Sequence, residues 1–233
     1  LAMLGALLLA APYLNGALMR VEISHYTKAI KGITVLDDVN LILEPGTCYG
    51  LRGKNGSGKT MLMRAIAGLL FPTSGGVFVD GKKLGKDIDF PASVGLLIET
   101  PSFLPRYAGF KNLQLLAGLR GVAGGDDIAE ALRRVGLDSD DKRPYRKYSL
   151  GMQQRLGIAC AIMEHPDLIL LDEPINALDP SGVARVETIV REEKERGAIV
   201  VVACHDAEEL DLLADEIFVM AEGRLTSHEK AGG

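Results

Sequence analysis

The chain has 233 residues, 47% of them hydrophobic and 24% charged, with a formal net charge of −5. That length suits one large domain or a core with a subdomain, and the acidic balance argues against a general nucleic-acid binder, which carries a basic face. Cys48, Cys160 and Cys204 form no C-x-x-C pair and read as small apolar interior residues of a reducing compartment; the four histidines have no metal-ligand spacing.

Residues 1–18, "LAMLGALLLAAPYLNGAL", are nearly uncharged and rich in Leu and Ala. Pro12, Asn15 and Gly16 interrupt them short of the about 20 apolar residues a span needs. No positive region precedes them, as a secretory signal requires. Met19 stands directly before a strand-like pattern. The stretch is expected to be an extension upstream of the natural start or an added segment. A short apolar helix docking on a partner or membrane surface, and a true span, remain alternatives.

"VEISHY" (21–26) alternates as a strand, and "VLDDVNLILEPG" (35–46) continues as strand to a Pro-Gly turn. "TCYGLR" (47–52) is a short apolar strand that runs into glycines. From Thr60, "TMLMRAIAGLL" has helical spacing, with Leu62, Ala65, Ile66 and Leu69 on one stripe. "GGVFVDGKKL" (75–84) reads as a hairpin turning at Asp80-Gly81, and "VGLLIE" (94–99) as another strand. Residues 109–165 change texture to mainly helical stripes. "DLILLDEP" (167–174) and "AIVVVACH" (198–205) are apolar runs of the kind a parallel strand covered on both faces requires. Between them lies a helix at 181–196. A short helix, "AEELDLLA", and a hairpin, "EIFVMAEGRL", close the pattern. Alternating strands and helices predict an α/β core with a parallel sheet, and about 100–163 reads as a helical insertion.

"GKNGSGKT" (53–60) fits G-x-x-x-x-G-K-[ST] between an apolar strand and a helix. Glycines let backbone N–H groups converge on phosphate oxygens, and the helix start adds its partial positive charge. Gly53, Lys54, Asn55, Gly56, Ser57, Gly58, Lys59, Thr60 and Met61 are therefore the expected phosphate-binding segment. In it Lys59 reaches the β and γ phosphates and Thr60 ligates Mg²⁺. "LILLDEP" delivers Asp172 to the carboxyl end of a central strand, where ligands of open α/β sheets bind. Asp172 is expected on Mg²⁺, and Glu173 beside it as the base that polarises a water.

"GKNGSGKT", "YSLGMQQR" (148–155), "LILLDEPINALD" and "VACHD" stand in the order and spacing of ATP-binding cassette (ABC) ATPases, and the chain resembles that family over about residues 20–226. The resemblance implies an α/β P-loop NTPase fold with a central parallel sheet, an antiparallel β subdomain and a helical subdomain. Its core spans 19–99 and 164–226, its helical part about 100–163, and residues 227–233 form a tail. The function implied is an ATPase, using ATP and Mg²⁺, that powers a separate membrane permease from the cytoplasmic face. A second cassette, identical or different, is the implied partner, and no nucleic acid is. Ser149 and Gly151 match the signature motif that completes the partner's ATP site, whereas Leu150 and Met152 depart from it. Asp179 matches the loop that crosses the dimer interface, and His205 the histidine that contacts the γ phosphate. His25, His165 and His228 carry no such match. A soluble non-transport ABC ATPase, a nucleotide-binding regulator, and a transporter ATPase for another substrate stay open.

Two departures narrow the resemblance. The position of the family's adenine-stacking aromatic falls on Ile30, and Tyr26 is the one nearby ring that could replace it. Aromatic stacking on a base is worth roughly 1–3 kcal/mol, so isoleucine implies weak discrimination between bases. Glu99, in "LLIETPSFLP", stands where most of the family has a glutamine that touches Mg²⁺ and leads toward the permease. A carboxylate there adds charge beside the triphosphate and raises dependence on Mg²⁺. "IE-P-F-P", Gly109, Asn112, Leu113 and "SLGMQQRLGIA" are similar to the cassettes of bacitracin- and lantibiotic-type self-protection exporters, which implies export of a peptide antibiotic or related compound. Segment 100–120 is the implied surface for the permease.

Overall fold

The computed structural model describes residues 19–231, so expectations for residues 1–18 lie outside the described residues. In chain order the strands are β1 (Val21–Ile30), β2 (Ile33–Leu43), β3 (Cys48–Arg52), β4 (Ser74–Val79), β5 (Lys82–Lys83), β6 (Val94–Leu97), β7 (Leu168–Asp172), β8 (Ile199–Cys204), β9 (Glu216–Ala221) and β10 (Arg224–Lys230). The helices are α1 (Lys59–Ile66), α2 (Gly109–Arg120), α3 (Gly125–Arg134), α4 (Leu150–Ile162), α5 (Pro180–Glu195) and α6 (Ala207–Leu213), with a short 3-10 turn at Tyr145–Lys147.

The strands form two sheets. One is four-stranded, in the order β2-β1-β4-β5, and antiparallel throughout. The other is six-stranded, in the order β10-β9-β3-β8-β7-β6. In it β6, β7, β8, β3 and β9 are mutually parallel, and β10 returns antiparallel along β9.

The uninterrupted apolar runs of β7 and β8 have a direct cause: both of their faces are covered. Ile169, Leu171, Val200 and Val202 point into one core, built with α2–α5. Leu168, Leu170, Ile199 and Val201 point into the other, shared with α1 and the four-stranded sheet. Every residue of both strands is buried. A run alternating with polar residues would put a polar side chain into one core at every second position.

Three local expectations change. The first helix ends at Ile66, and Leu69 lies past it, 39% exposed. The chain leaves the helix at Gly68, whose φ of 78° is left-handed, so the stripe stops one turn short of Leu69. The expected tail from 227 is strand: β10 runs to Lys230, pairing His228 with Phe218 and Lys230 with Glu216. Its residues are almost all exposed and show no apolar alternation. Main-chain pairing, the Arg52–Glu229 ion pair and the His228–Glu216 hydrogen bond hold it instead. Tyr26 is fully buried in the β1 core and its hydroxyl donates to the Leu70 carbonyl, so it offers no ring to a ligand.

Close packing of β6 under α4 gives a test. A Cβ at Gly95 would stand 1.8 Å from the Ala161 carbonyl oxygen, whereas one at Gly118, on α2, meets nothing within 4 Å. Gly95→Ala is expected to lose at least about 2 kcal/mol in urea unfolding, and Gly118→Ala to gain about 0.5–1 kcal/mol. A Gly95→Ala chain within about 0.5 kcal/mol of the parent, a typical surface effect, contradicts this packing.

Candidate active site

The loop between β3 and α1 is shaped by its glycines. Gly56 and Gly58 are left-handed, at φ 81° and 107°, a conformation that side chains resist. A Cβ on Gly53 would meet the Met220 carbonyl oxygen at 2.5 Å. The loop closes on itself through Ser57 N to Lys54 O at 3.0 Å, and Gly223 N ties it to β10's approach by donating to Ser57 O at 2.9 Å. Helix α1 then starts at Lys59 with no side-chain cap and no acidic residue in its first turn. Its first N–H groups are left for an anion, with the positive end of the helix behind them.

Lys59 is 7% exposed, and its Nζ donates to Gly53 O at 2.6 Å. The ammonium is therefore held over the loop that would cradle phosphate. Lys54, Asn55 and Gly56 form the exposed tip, Met61 is half-buried, and the buried Ser57 Oγ has no hydrogen-bond partner. An orphaned hydroxyl inside the loop suits a ligand that brings acceptor oxygens.

Thr60 and Asp172 meet here from opposite ends of the sequence. Thr60 Oγ1 donates to Asp172 Oδ2 at 2.7 Å. Burial pushes the Asp172 carboxyl up; the Thr60 hydrogen bond lowers it, and the Glu173 charge raises it further. A hydroxyl and a partly desolvated carboxylate are hard oxygen donors, the chemistry Mg²⁺ prefers. The pair therefore fits a magnesium ion.

Glu173 follows in a strained turn with φ 51°. Its N–H donates to Ala203 O at 2.8 Å, tying it to β8. His205, at the end of the adjacent β8, places Nδ1 3.0 Å from Glu173 Oε2. That hydrogen bond and the Glu173 charge raise the His205 pKa. The parallel register puts Asp172 beside Ala203 and so brings the two strand ends together; the left-handed turn at Glu173 then carries its carboxylate to His205, one residue beyond its register neighbour Cys204.

The other expected residues lie apart. Ile30 ends β1 opposite Ile33, exposed beside the β1–β2 turn. Glu99 forms an ion pair with Arg64 and no hydrogen bond with Thr60 or Asp172, although its charge lies near enough to help raise the Asp172 carboxyl. Ser149 caps α4 by accepting from Met152 N at 3.2 Å, and Leu150 beside it is 70% exposed. Among the described residues no hydrogen bond links Ser149 or Gly151 to the phosphate loop. Asp179 caps α5 through Gly182 N at 3.0 Å and lies 3.7 Å from Arg155.

Two participants escaped the sequence reading. Arg64 lies one helical turn after Thr60, on the same face, and that spacing could have named it as Glu99's partner. Gln154 Nε2 donates to the Glu173 carbonyl at 2.8 Å; nothing in its spacing announces a contact 19 residues away.

A glycine loop at a helix start, with two consecutive acids at the end of β7, two strands away in the same sheet, defines a P-loop nucleotide hydrolase. Residues 36–176 match the family described as ABC transporter. The uncharacterized ABC transporter ATP-binding protein YybJ of Bacillus subtilis is 48% identical over 210 residues, covering 90% of this chain and 96% of YybJ. The bacitracin transport ATP-binding protein BcrA of Enterococcus faecalis is 41% identical over 207 residues, covering 88% of this chain and 67% of BcrA. Among solved structures, a dimeric ATP-binding cassette in a post-hydrolysis state with ADP and Pi superposes with a TM-score of 0.82 at 26% identity, covering 91% of this chain and 99% of that one. The chain belongs to the ABC transporter family. It is an ATP-binding subunit of an ABC transporter, an ATPase whose hydrolysis is coupled to transport.

The His205–Glu173 pair has a pH signature. With its pKa raised in the folded chain, His205 stays charged, and the pair attractive, below that raised value; the attraction fades as pH rises through it. In an NMR titration His205 is expected to have its midpoint above the ordinary imidazole value of about 6.5. Glu173→Gln is expected to lower that midpoint. A midpoint unmoved by Glu173→Gln contradicts the pairing.

Proposed function

We propose that residues 53–61 hold the triphosphate of ATP, with Thr60 and Asp172 on Mg²⁺ and Glu173 as general base for water attack on the γ phosphate. The observation that carries this reading is the Glu173–His205 pair at the ends of two adjacent buried strands, beside the Thr60–Asp172 contact. Glu173 Oε2, oriented by His205, takes the proton of the attacking water. Lys59 and the α1 N–H groups bind phosphate oxygens, and His205 holds the γ phosphate. A bound Mg²⁺ would neutralise phosphate charge and favour in-line attack. Ser149, Gly151 and Asp179 face away to complete the site of a second cassette, so each ATP lies between two subunits. Residues 19–99 and 164–226 act as the core and 100–163 as a helical subdomain.

The work is delivered to a separate membrane permease. No helix among the described residues is long and apolar enough to cross a membrane. Segment 100–120 exposes Leu104, Tyr107, Leu115 and Leu119, an apolar surface suited to a permease helix. Similarity to a bacitracin transport protein supports a peptide antibiotic or related compound as the cargo.

Glu173→Gln is expected to bind ATP, lose turnover by at least about 100-fold (the lower end of the range for a positioned base), and accumulate a nucleotide-bound dimer on size-exclusion chromatography. GTP is expected to trap that dimer at no more than about 30 times the ATP concentration, a gap of about 2 kcal/mol. Adding Glu99→Gln is expected to lower the Mg²⁺ needed for half-trapping. Near-normal phosphate release by Glu173→Gln contradicts the base assignment. A larger GTP gap contradicts the reading of Ile30, and unchanged Mg²⁺ dependence removes Glu99 from the metal's surroundings.

A further inference from the structure

The segment from β7 to α5 carries two left-handed residues that are not glycine, Glu173 at φ 51° and Ala177 at φ 61°. Such conformations persist only where their surroundings over-determine them. Much of that surrounding is α4. Gln154 Nε2 donates to the Glu173 carbonyl at 2.8 Å, and Asn176 N shares the same acceptor at 3.3 Å. Gly151 approaches so closely that a Cβ there would stand 2.8 Å from the Ala177 carbonyl oxygen. Arg155 lies 3.7 Å from Asp179. Residues 151, 154 and 155 share one helix face, and they touch the segment at its middle, its start and its end.

We propose that Gln154 is a positioning residue for Glu173, and that it fastens α4 to segment 173–179 so that the two move as one unit. This rests on the reading of Glu173 as base and of Ser149 and Gly151 as contacts to the partner's nucleotide. Ser149 and Gly151 begin the helix on which Gln154 sits. Closure of a second cassette on that helix start is therefore passed through Gln154 to this chain's own base, coupling the two ATP sites. Gln154 touches no reacting atom. Its amide holds the Glu173 carbonyl, hence the backbone angle, hence the direction in which the carboxylate points toward His205.

Gln154→Met keeps the side-chain length and removes the donor. Gln153→Met is the control, because Gln153 donates to Tyr148 O at 3.2 Å, within the same helix start. Two readouts are needed: kcat and KM for phosphate release by the assembled ATPase, and amide hydrogen exchange of the isolated chain over 173–179, with the β4–β5 hairpin as folding reference. Gln154→Met is expected to lower kcat about tenfold with KM within about twofold, a loss equivalent to about 1.4 kcal/mol. Exchange over 174–178 is expected to rise about tenfold with the hairpin unchanged, and Gln153→Met to move none of these by more than about twofold. Unchanged exchange, unchanged kcat, or an equal loss in Gln153→Met overturns the proposal. Should Glu173→Gln retain turnover, the base assignment falls by itself, and the exchange arm still decides whether Gln154 holds the segment.

Discussion

Asp172 and Glu173 are consecutive acids at the end of a strand with no polar side chain before them, and the architecture of the molecule follows from placing them there. Burial disfavours the Asp172 charge, and an uncompensated carboxylate at such a place is costly. The Thr60 hydroxyl and Lys59 ammonium lie near enough to offset part of that cost. A divalent cation fits the remainder. The strand can carry its acids to this point because β6 and β8 flank it and apolar layers cover both faces. The parallel register with β8 brings the two strand ends together, and the turn at Glu173 sets its carboxylate against His205.

The same sheet accounts for the proposal that this centre holds only part of what ATP hydrolysis requires. In the proposed function, everything that meets at the ends of β3, β7 and β8 concerns phosphate, metal and base. The hydroxyl of Ser149 and the apolar Leu150 stand at an exposed helix start elsewhere. That helix is not independent of the centre: Gln154 bonds the Glu173 carbonyl from within it. The helix that begins at Ser149 and the turn bearing Glu173 are thus adjacent parts of one packed unit.

Much of this was legible in the sequence where burial or backbone geometry restricts residue choice. The runs before Asp172 and His205 announce strands covered on both faces, and the glycines of 53–58 announce a loop that only glycine can build. What escaped was decided by pairing. The strand residues from Ser227 to Lys230 lie along β9 through main-chain bonds and side-chain polar contacts, which leave no apolar alternation. Tyr26 shows the aromatic character of a ligand platform but spends its ring in the core. Glu99 is an acid with an expected metal role, and in this structure its partner is Arg64, a contact between elements 35 residues apart. Ile30 and Glu99 mark the departures from the common pattern, and both are exposed at or just past strand ends, where packing restricts the residue type least.

The central claim is that this chain holds half of each composite ATP site. Equilibrium ATP binding to the isolated chain, set beside turnover of the assembled transporter, tests it most directly in Ser149→Arg. The account predicts ATP affinity within about twofold of the parent and turnover down at least about 100-fold, a loss of about 2.7 kcal/mol in barrier lowering. Affinity of the isolated chain falling in step with turnover would place Ser149 in its own chain's site and contradict the account.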